Sequence, residues 1–240
     1  MPIETFSYPT VQLIDKMGGD HSIVRAARVS VSTGEIVVNT EDEKEIKRNN
    51  GLINYLMREK HGSPFEQNSM TFYVKAPIFV FREFHRHRAG FSYNEMSGRY
   101  TKLNPEFWIP AQNRPLQNVG TSAKPEMAPL SLEAWEEGVQ LLTEGYENDW
   151  RIYERLLELG WANEAARAKL PVALYSQMYV TLNLRSAFNF LSLRTHEPEA
   201  AHVSRPQREI EDVAREIEKH LAQLFPVAYK TFNDHGRVAP

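Results

Sequence analysis

Cysteine is absent from all 240 residues. That gap removes disulfides, thiolate metal sites, cysteine-ligated iron–sulfur clusters and a cysteine nucleophile together. Covalent chemistry, if any, must come from a cofactor or a weaker nucleophile. No apolar run approaches the roughly 20 residues that span a bilayer. The opening MPIETFSYPT lacks the basic start and apolar stretch of a signal peptide, so a soluble, cytoplasmic protein with no membrane partner is expected. A basic excess is missing as well: 28 Lys+Arg against 31 Asp+Glu give a formal charge of −3, unlike a typical duplex-DNA binder. No G-x-G-x-x-G occurs, so a dinucleotide would be held here without the Rossmann fingerprint. Internal repeats and low-complexity segments are also lacking. What remains, 42% hydrophobic residues in a chain of this length, is enough to bury a full core, and a single domain over residues 1–240 is expected.

Thr40 and Glu43 form a capping-box pattern ahead of Leu52, Ile53, Leu56 and Met57, which predicts a helix to about Lys60, stopped by His61-Gly62-Ser63-Pro64. Ser69 to Ala76 is rich in aromatic and β-branched residues and reads as a strand, with Pro77 opening a helix that carries Arg82 and Arg86. Five prolines between Asn104 and Leu130 predict an irregular loop at about 104–130. Ser131 opens a long helix with an inner stripe of Trp135, Val139, Leu142, Tyr146, Trp150, Tyr153 and Leu157, stopped by Gly160. A short helix over Asn163 to Lys169, a strand over Gln177 to Leu182 and a helix capped by Asn183 through Arg194 follow. The last predicted helix follows Pro206 and buries Ile210, Val213, Ile217, Leu221 and Leu224. Strands and helices mix without strict alternation, which favours an α+β fold with a mostly antiparallel or mixed sheet flanked by helices.

One segment is unlike the rest. Phe81 to Tyr100, FREFHRHRAGFSYNEMSGRY, packs four arginines, two histidines and two glutamates into twenty residues and ends near a Ser97-Gly98 pair. Guanidinium forks beside acceptors and a tight turn are suited to holding a phosphorylated ligand in one orientation. A solvated helix face would not interleave Phe81, Phe84, Phe91 and Tyr93 with the charges. If Arg82 and Arg86 share a helix face while Arg88 points elsewhere, the cluster grips more than one anionic group.

The Arg86-His87-Arg88 run followed by Ser97 resembles the signature of the flavin-dependent thymidylate synthases, the ThyX family. Eight residues separate Arg88 from Ser97, where the family pattern usually has one fewer, and the extra residue is placed near Gly90, whose backbone freedom absorbs it in a wider turn. RAARVS ending at Ser30, HGSPFE from His61, VKAPIFV from Val74, Arg167 before Leu170-Pro171, and NLRSAFNFLSLR from Asn183 to Arg194 resemble further family blocks in family order. The resemblance implies FAD contacts at Ser30, His61, Ser63, Glu66, Arg86, His87, Arg88, Glu95, Asn183, Arg185 and Asn189, contributed by neighbouring subunits. It implies dUMP contacts at Glu83, Phe84, His85, Arg86, Glu95, Ser97, Gly98, Arg99, Arg167 and Arg194. Arg194 is the implied catalytic residue, a fixed cation that favours the electron-rich form of the uracil; the plain alternative is an arginine answering a helix dipole. Glu83, where the family often has Gln, is expected to pair with Arg82 or Arg86 or to turn away, since a bare carboxylate repels a phosphate.

The implied reaction is reductive methylation of dUMP to dTMP. Methylenetetrahydrofolate is the one-carbon donor, NADPH reduces FAD, and a homotetramer shares its sites between subunits. The missing cysteine fits, because the folate-only route to dTMP needs a cysteine nucleophile. Ser97 has no Asp or His placed by sequence to activate it and is expected to bind rather than attack. Two other classes compete. A single-stranded nucleic-acid binder would use the same arginines and aromatics, against the charge of −3. A metal hydrolase would draw on His85 and His87, or on His196, Glu197, Glu199 and His202, none of which has the i, i+4 histidine spacing of a zinc helix; no metal is expected.

Overall fold

A computed structural model describes residues 2–240. In chain order the elements are β1 (Glu4–Phe6), β2 (Thr10–Met17), α1 (Asp20–Arg28), α2 (Glu43–Arg58), β3 (Ser69–Pro77), α3 (Ile78–Phe84), β4 (Phe91–Glu95) and β5 (Glu106–Trp108). They continue with β6 (Gln117–Asn118), β7 (Met127–Ala128), α4 (Leu132–Glu158), α5 (Asn163–Ala166), β8 (Tyr175–Leu182), α6 (Leu184–Arg194), α7 (Arg208–Leu224) and α8 (Pro226–Asp234). The fold is α+β, and the chain divides into two compact units.

The larger unit takes residues 10–75, 82–95 and 177–240. Its sheet runs in the order β2-β3-β8-β4, with β2 antiparallel to β3 and β4 antiparallel to β8. Alternation explains its two faces: Met70, Phe72 and Val74 of β3 and Met178, Val180 and Leu182 of β8 are buried, while Thr71, Tyr73, Gln177 and Tyr179 look the other way. Helix α7 buries Ile210, Val213, Ile217 and Leu221 as its period requires, and its His220 ring meets Phe72 at 5.7 Å. Helix α6 carries buried aromatics on two sides. Phe188 stacks on Phe232 at 4.4 Å and Phe190 on Phe84 at 4.9 Å. Each fully buried phenylalanine stabilises the fold by about 2 kcal/mol.

Of the described residues, the smaller unit takes 2–9, 76–81 and 96–176. Its core gathers Leu103, Phe107, Tyr146, Trp150, Tyr153, Ala166, Ala173 and Leu174, with Phe107 stacked on Tyr146 at 4.8 Å. Ser131 accepts from the Ala134 N–H and starts α4, and Gly160, at φ +86°, follows its end. The aromatic stripe of α4 buries fully only at Tyr146, Trp150 and Tyr153.

The structure departs from the sequence expectations in several places. The cap of α2 is Asp42, whose carboxylate accepts from Lys44 N at 3.0 Å, and not Thr40, which lies outside the first turn. Pro77 ends β3 instead of opening the helix. Helix α3 stops at Phe84, where His87 N closes a turn onto Phe84 O at 2.8 Å, so Arg82 and Arg86 do not share a helix face. Within residues 104–130, β5 pairs in parallel with β1 and β6 pairs with β7, giving local order to a segment read as irregular. Finally, the helix expected after Pro206 is α7, but a further helix, α8, follows it, with Pro226 at the first-turn position where a missing N–H costs nothing. Strands β1, β2 and β4 and helix α1 were not anticipated.

Candidate nucleotide site

The Arg-rich segment and the end of α6 meet in a cleft of the larger unit. It has a volume of about 680 Å³ and is lined by Glu83, Arg86, His87, Arg88, Ala89, Phe91, Asn189, Leu193 and Arg194, a size within the roughly 300–1,000 Å³ of small-molecule sites. Among the described residues neither Arg86 nor Arg88 has an ion-pair or hydrogen-bond partner for its side chain, and both are exposed. Two unpaired guanidinium forks in one cleft suit a phosphate or diphosphate.

Arg194 is different, being held. Its Nη1 pairs with Glu83 Oε2 at 2.5 Å, its Nη2 donates to Glu83 O at 3.3 Å, and its Nε donates to His87 Nε2 at 3.0 Å. Glu83, expected to pair with Arg82 or Arg86 or to turn away, instead lines the cleft and pairs with Arg194. The accepting role of His87 requires Nε2 to be unprotonated. Burial first, and the Arg194 charge second, depress its pKa from the ordinary 6.5 to about 4. The backbone beneath is fixed by Tyr93, whose hydroxyl lies 2.8 Å from Phe84 O and 2.7 Å from His87 O as a shared donor, and burial raises its pKa.

Phe84 has a fully buried side chain stacked on Phe190, so a ligand would meet its backbone only. His85 is exposed and lies edge-on to Tyr93 at 5.0 Å. Asn183 caps α6 by accepting from Ser186 N at 2.9 Å, and Ser186 Oγ donates to Ala89 O at 2.9 Å, which ties the turn after Arg88 to the helix start. Gly90 in that turn has φ +69°, and a Cβ there would fall 2.1 Å from Ser186 Oγ, so the turn needs glycine. Asn189 is exposed on the cleft wall. Glu95 closes β4 opposite Met178.

A second cavity in the same unit, of about 1680 Å³, is lined by Ser30, His61 and Ser63 among others and shares no residue with the first. Arg28, which donates to Asn49 at 2.7 Å and pairs with Glu45 at 3.2 Å, ties α1 to α2 beside it. Glu66 and Arg185 pair with each other at 2.6 Å. Of the residues expected to touch FAD, Ser30, His61 and Ser63 line one cavity, Arg86, His87, Arg88 and Asn189 line the other, Glu66 and Arg185 form a pair, and Glu95 and Asn183 line neither cavity.

In the smaller unit, Ser97 Oγ accepts from Arg99 N at 3.3 Å, and Gly98 is buried where a Cβ would press on Leu103 at 3.0 Å. No base activates Ser97 among the described residues. Arg99 pairs with Glu164 at 3.0 Å, whereas the Arg167 side chain is exposed and has no partner among the described residues. Of these four, Ser97 and Arg99 are the pair joined by a hydrogen bond.

The sequence did not reveal the Glu83–Arg194–His87 arrangement. Its members lie 107 and 111 residues apart, and no local pattern signals such a contact. Among the described residues no group of three or more His, Cys, Asp or Glu is arranged to hold a metal. His196 instead has its Nδ1 2.8 Å from Ser204 O. No helix among the described residues is long and apolar enough to cross a membrane.

The two cavities fit a flavin dinucleotide in donor chemistry: paired guanidinium groups for the diphosphate in one, and a larger, partly apolar groove with hydroxyl and imidazole groups in the other. Comparison with known proteins agrees. The Thy1 family model, described as thymidylate synthase complementing protein, matches residues 12–227. The flavin-dependent thymidylate synthase of Streptomyces avermitilis is 47% identical over 231 residues, covering 96% of this chain and 93% of that protein. That of Streptomyces coelicolor is 48% identical over 238 residues, covering 99% and 96%. The crystal structure of the UMP/dUMP methylase PolB from Streptomyces cacaoi bound with 5-Br UMP superposes with a TM-score of 0.91 at 44% identity, over 100% of both chains. The chain belongs to the Thy1 family, the ThyX flavin-dependent thymidylate synthases.

Proposed function

We propose that the protein methylates dUMP reductively to dTMP, with FAD as its flavin, NADPH as reductant and methylenetetrahydrofolate as one-carbon donor. The observation that carries this reading is the cleft in which two unpaired arginines, Arg86 and Arg88, stand beside a third, Arg194, whose orientation is fixed by Glu83 and His87. Family membership and the flavin-dependent relatives support the chemistry. In this reading Arg86 serves both the nucleotide phosphate and the flavin, and Arg88 with Asn189 serves the flavin. Ser97, Gly98, Arg99 and Arg167 hold dUMP, with Glu95 beside them. Ser30, His61 and Ser63 hold the flavin from the second cavity, and Asn183, Glu66 and Arg185 shape its surroundings.

In this reading Arg194 lies against the uracil and stabilises negative charge on the ring, which raises electron density at C5; a preoriented cation is effective because it needs no reorganisation at the moment of reaction. FAD held by Arg86, Arg88, Asn189, Ser30, His61 and Ser63 would supply hydride chemistry to the bound nucleotide. Ser97, with no activating base, binds through its hydroxyl and turn amides. The separation of the flavin residues between two cavities of one chain supports a site assembled from more than one subunit, as in a homotetramer. The single-stranded nucleic-acid reading gains nothing from the structure.

The test is direct. Purified protein given FAD should turn yellow, and dUMP with NADPH and methylenetetrahydrofolate should yield dTMP, with UMP assayed alongside because PolB is a UMP/dUMP methylase. Arg194→Ala should retain the flavin absorbance and lose dTMP formation; near-normal turnover in that variant would remove Arg194 from the mechanism.

A further inference from the structure

The structure assigns Glu83 the role of a positioning residue: its carboxylate and its carbonyl, together with His87 Nε2, hold the Arg194 guanidinium and decide which N–H bonds remain for a ligand in the cleft. This rests on the catalytic reading of Arg194 above.

A guanidinium carries five N–H donors. Three are taken, by Glu83 Oε2 at 2.5 Å, Glu83 O at 3.3 Å and His87 Nε2 at 3.0 Å. Among the described residues nothing takes the other two, and the Arg194 side chain is 18% exposed while lining the cleft. The hold uses three edges of a rigid planar group, so it fixes rotation as well as place.

The framework behind the hold is stiff. Glu83 sits in the last turn of α3 and His87 just past it, and the turn between them is closed by His87 N on Phe84 O at 2.8 Å. Phe84 stacks on Phe190, and His87 meets Phe190 edge-on at 5.0 Å. Phe190 lies one turn before Arg194 on α6. The same aromatic contacts therefore set the distance between the acceptors and the helix end that carries the arginine.

A carboxylate in a cleft built for phosphates opposes the ligand electrostatically. Glu83 occupies that position while neutralising and aiming the one arginine that is held, leaving Arg86 and Arg88 unneutralised for the anion.

The experiment uses full-length protein loaded with FAD: wild type, Glu83→Ala and Glu83→Gln. Flavin content, dUMP Kd and kcat at saturating dUMP are measured, and each variant is crystallised without nucleotide. Glu83→Ala should keep its flavin and lose kcat by about 10- to 100-fold, the scale of an ångström's misplacement, with the Arg194 guanidinium displaced from His87 Nε2. Glu83→Gln keeps a side-chain acceptor and should recover most of that loss, with Arg194 back within hydrogen-bond reach of His87. The inference is overturned if Glu83→Ala leaves Arg194 in place, or if Glu83→Gln holds Arg194 yet is as slow as Glu83→Ala, which would make charge rather than placement the function. Wild type that forms no dTMP would sink the proposed activity, while the variant crystal structures would still decide whether Glu83 holds Arg194.

Discussion

His87 is only 6% exposed, and its ring nitrogen is committed to Arg194, so it cannot take a proton without losing that acceptor. The sign of the pH effect follows from its depressed pKa. The unfolded chain takes up a proton as pH falls through the ordinary 6.5, whereas the folded chain resists until about 4. The contribution to stability is complete above that ordinary value and is lost as pH falls toward the folded one, with a ceiling of roughly 3 kcal/mol. Urea unfolding of wild type and His87→Gln at neutral and mildly acidic pH should show wild type losing about 2 kcal/mol more than the variant; equal losses would show that His87 does not carry the difference. Cation placement at this scale depends on single contacts. Arg86, Arg88 and Arg194 share one cleft, yet among the described residues only Arg194 is clamped, and neither RHRAGFSYNEMSGRY, which carries the first two, nor NLRSAFNFLSLR, which ends on the third, signals that difference.

At the scale of elements, α6 shows how a cap readable in sequence is completed by one that is not. Asn183 precedes the helix and accepts from Ser186 N at 2.9 Å, as the pattern of a polar residue before an apolar run predicts. The neighbouring orphan donor, Leu184 N, is taken by Asn68 Oδ1 at 2.8 Å, and Asn68 also donates to Phe65 O at 3.1 Å. Asn68 is 3% exposed and Leu184 fully buried, so no water replaces that bond. Asn183→Ala should cost about 1 kcal/mol and Asn68→Ala about 2 kcal/mol, the larger penalty of a buried donor left unpaired. Denaturant titration ranks them; a smaller effect at Asn68 would show that the helix start relaxes toward solvent. The helix α3 expectation failed for a related reason. The apolar pattern continued past Phe84, but the chain closes a tight turn there, His87 N onto Phe84 O, and the Tyr93 hydroxyl from the strand that follows reaches the Phe84 and His87 carbonyls.

At the scale of the whole molecule, the residues expected to serve one nucleotide are divided between the two compact units, with Arg86 and Arg194 in one and Ser97, Gly98, Arg99 and Arg167 in the other. Arg86 and Arg194 line a single cleft of a single chain and should not complement each other. Arg194→Ala and Arg167→Ala form the informative pair. If subunits share sites, mixing the two inactive proteins under subunit exchange should restore roughly a quarter of wild-type activity, the fraction of sites that draw both intact contributions in a symmetric assembly. No recovery, with exchange verified by mass, would place both arginines in sites built by one chain.

The sequence by itself determined that the chemistry is free of cysteine, that most helices and the β3 and β8 strands lie where periodicity and caps put them, and that a guanidinium-rich segment is the centre of a site. These properties are local: they depend on residue type, on spacing within a turn or a strand, and on the turn residues that end each element. The tertiary structure alone decided that α3 ends at Phe84, that Asn68 completes the cap of α6, and that Glu83 belongs to Arg194 and not to its neighbours in the chain. Each of those outcomes rests on a partner brought in from a distant segment or from outside the helix, and a hydrogen bond is decided by position and direction in space, which sequence spacing does not encode.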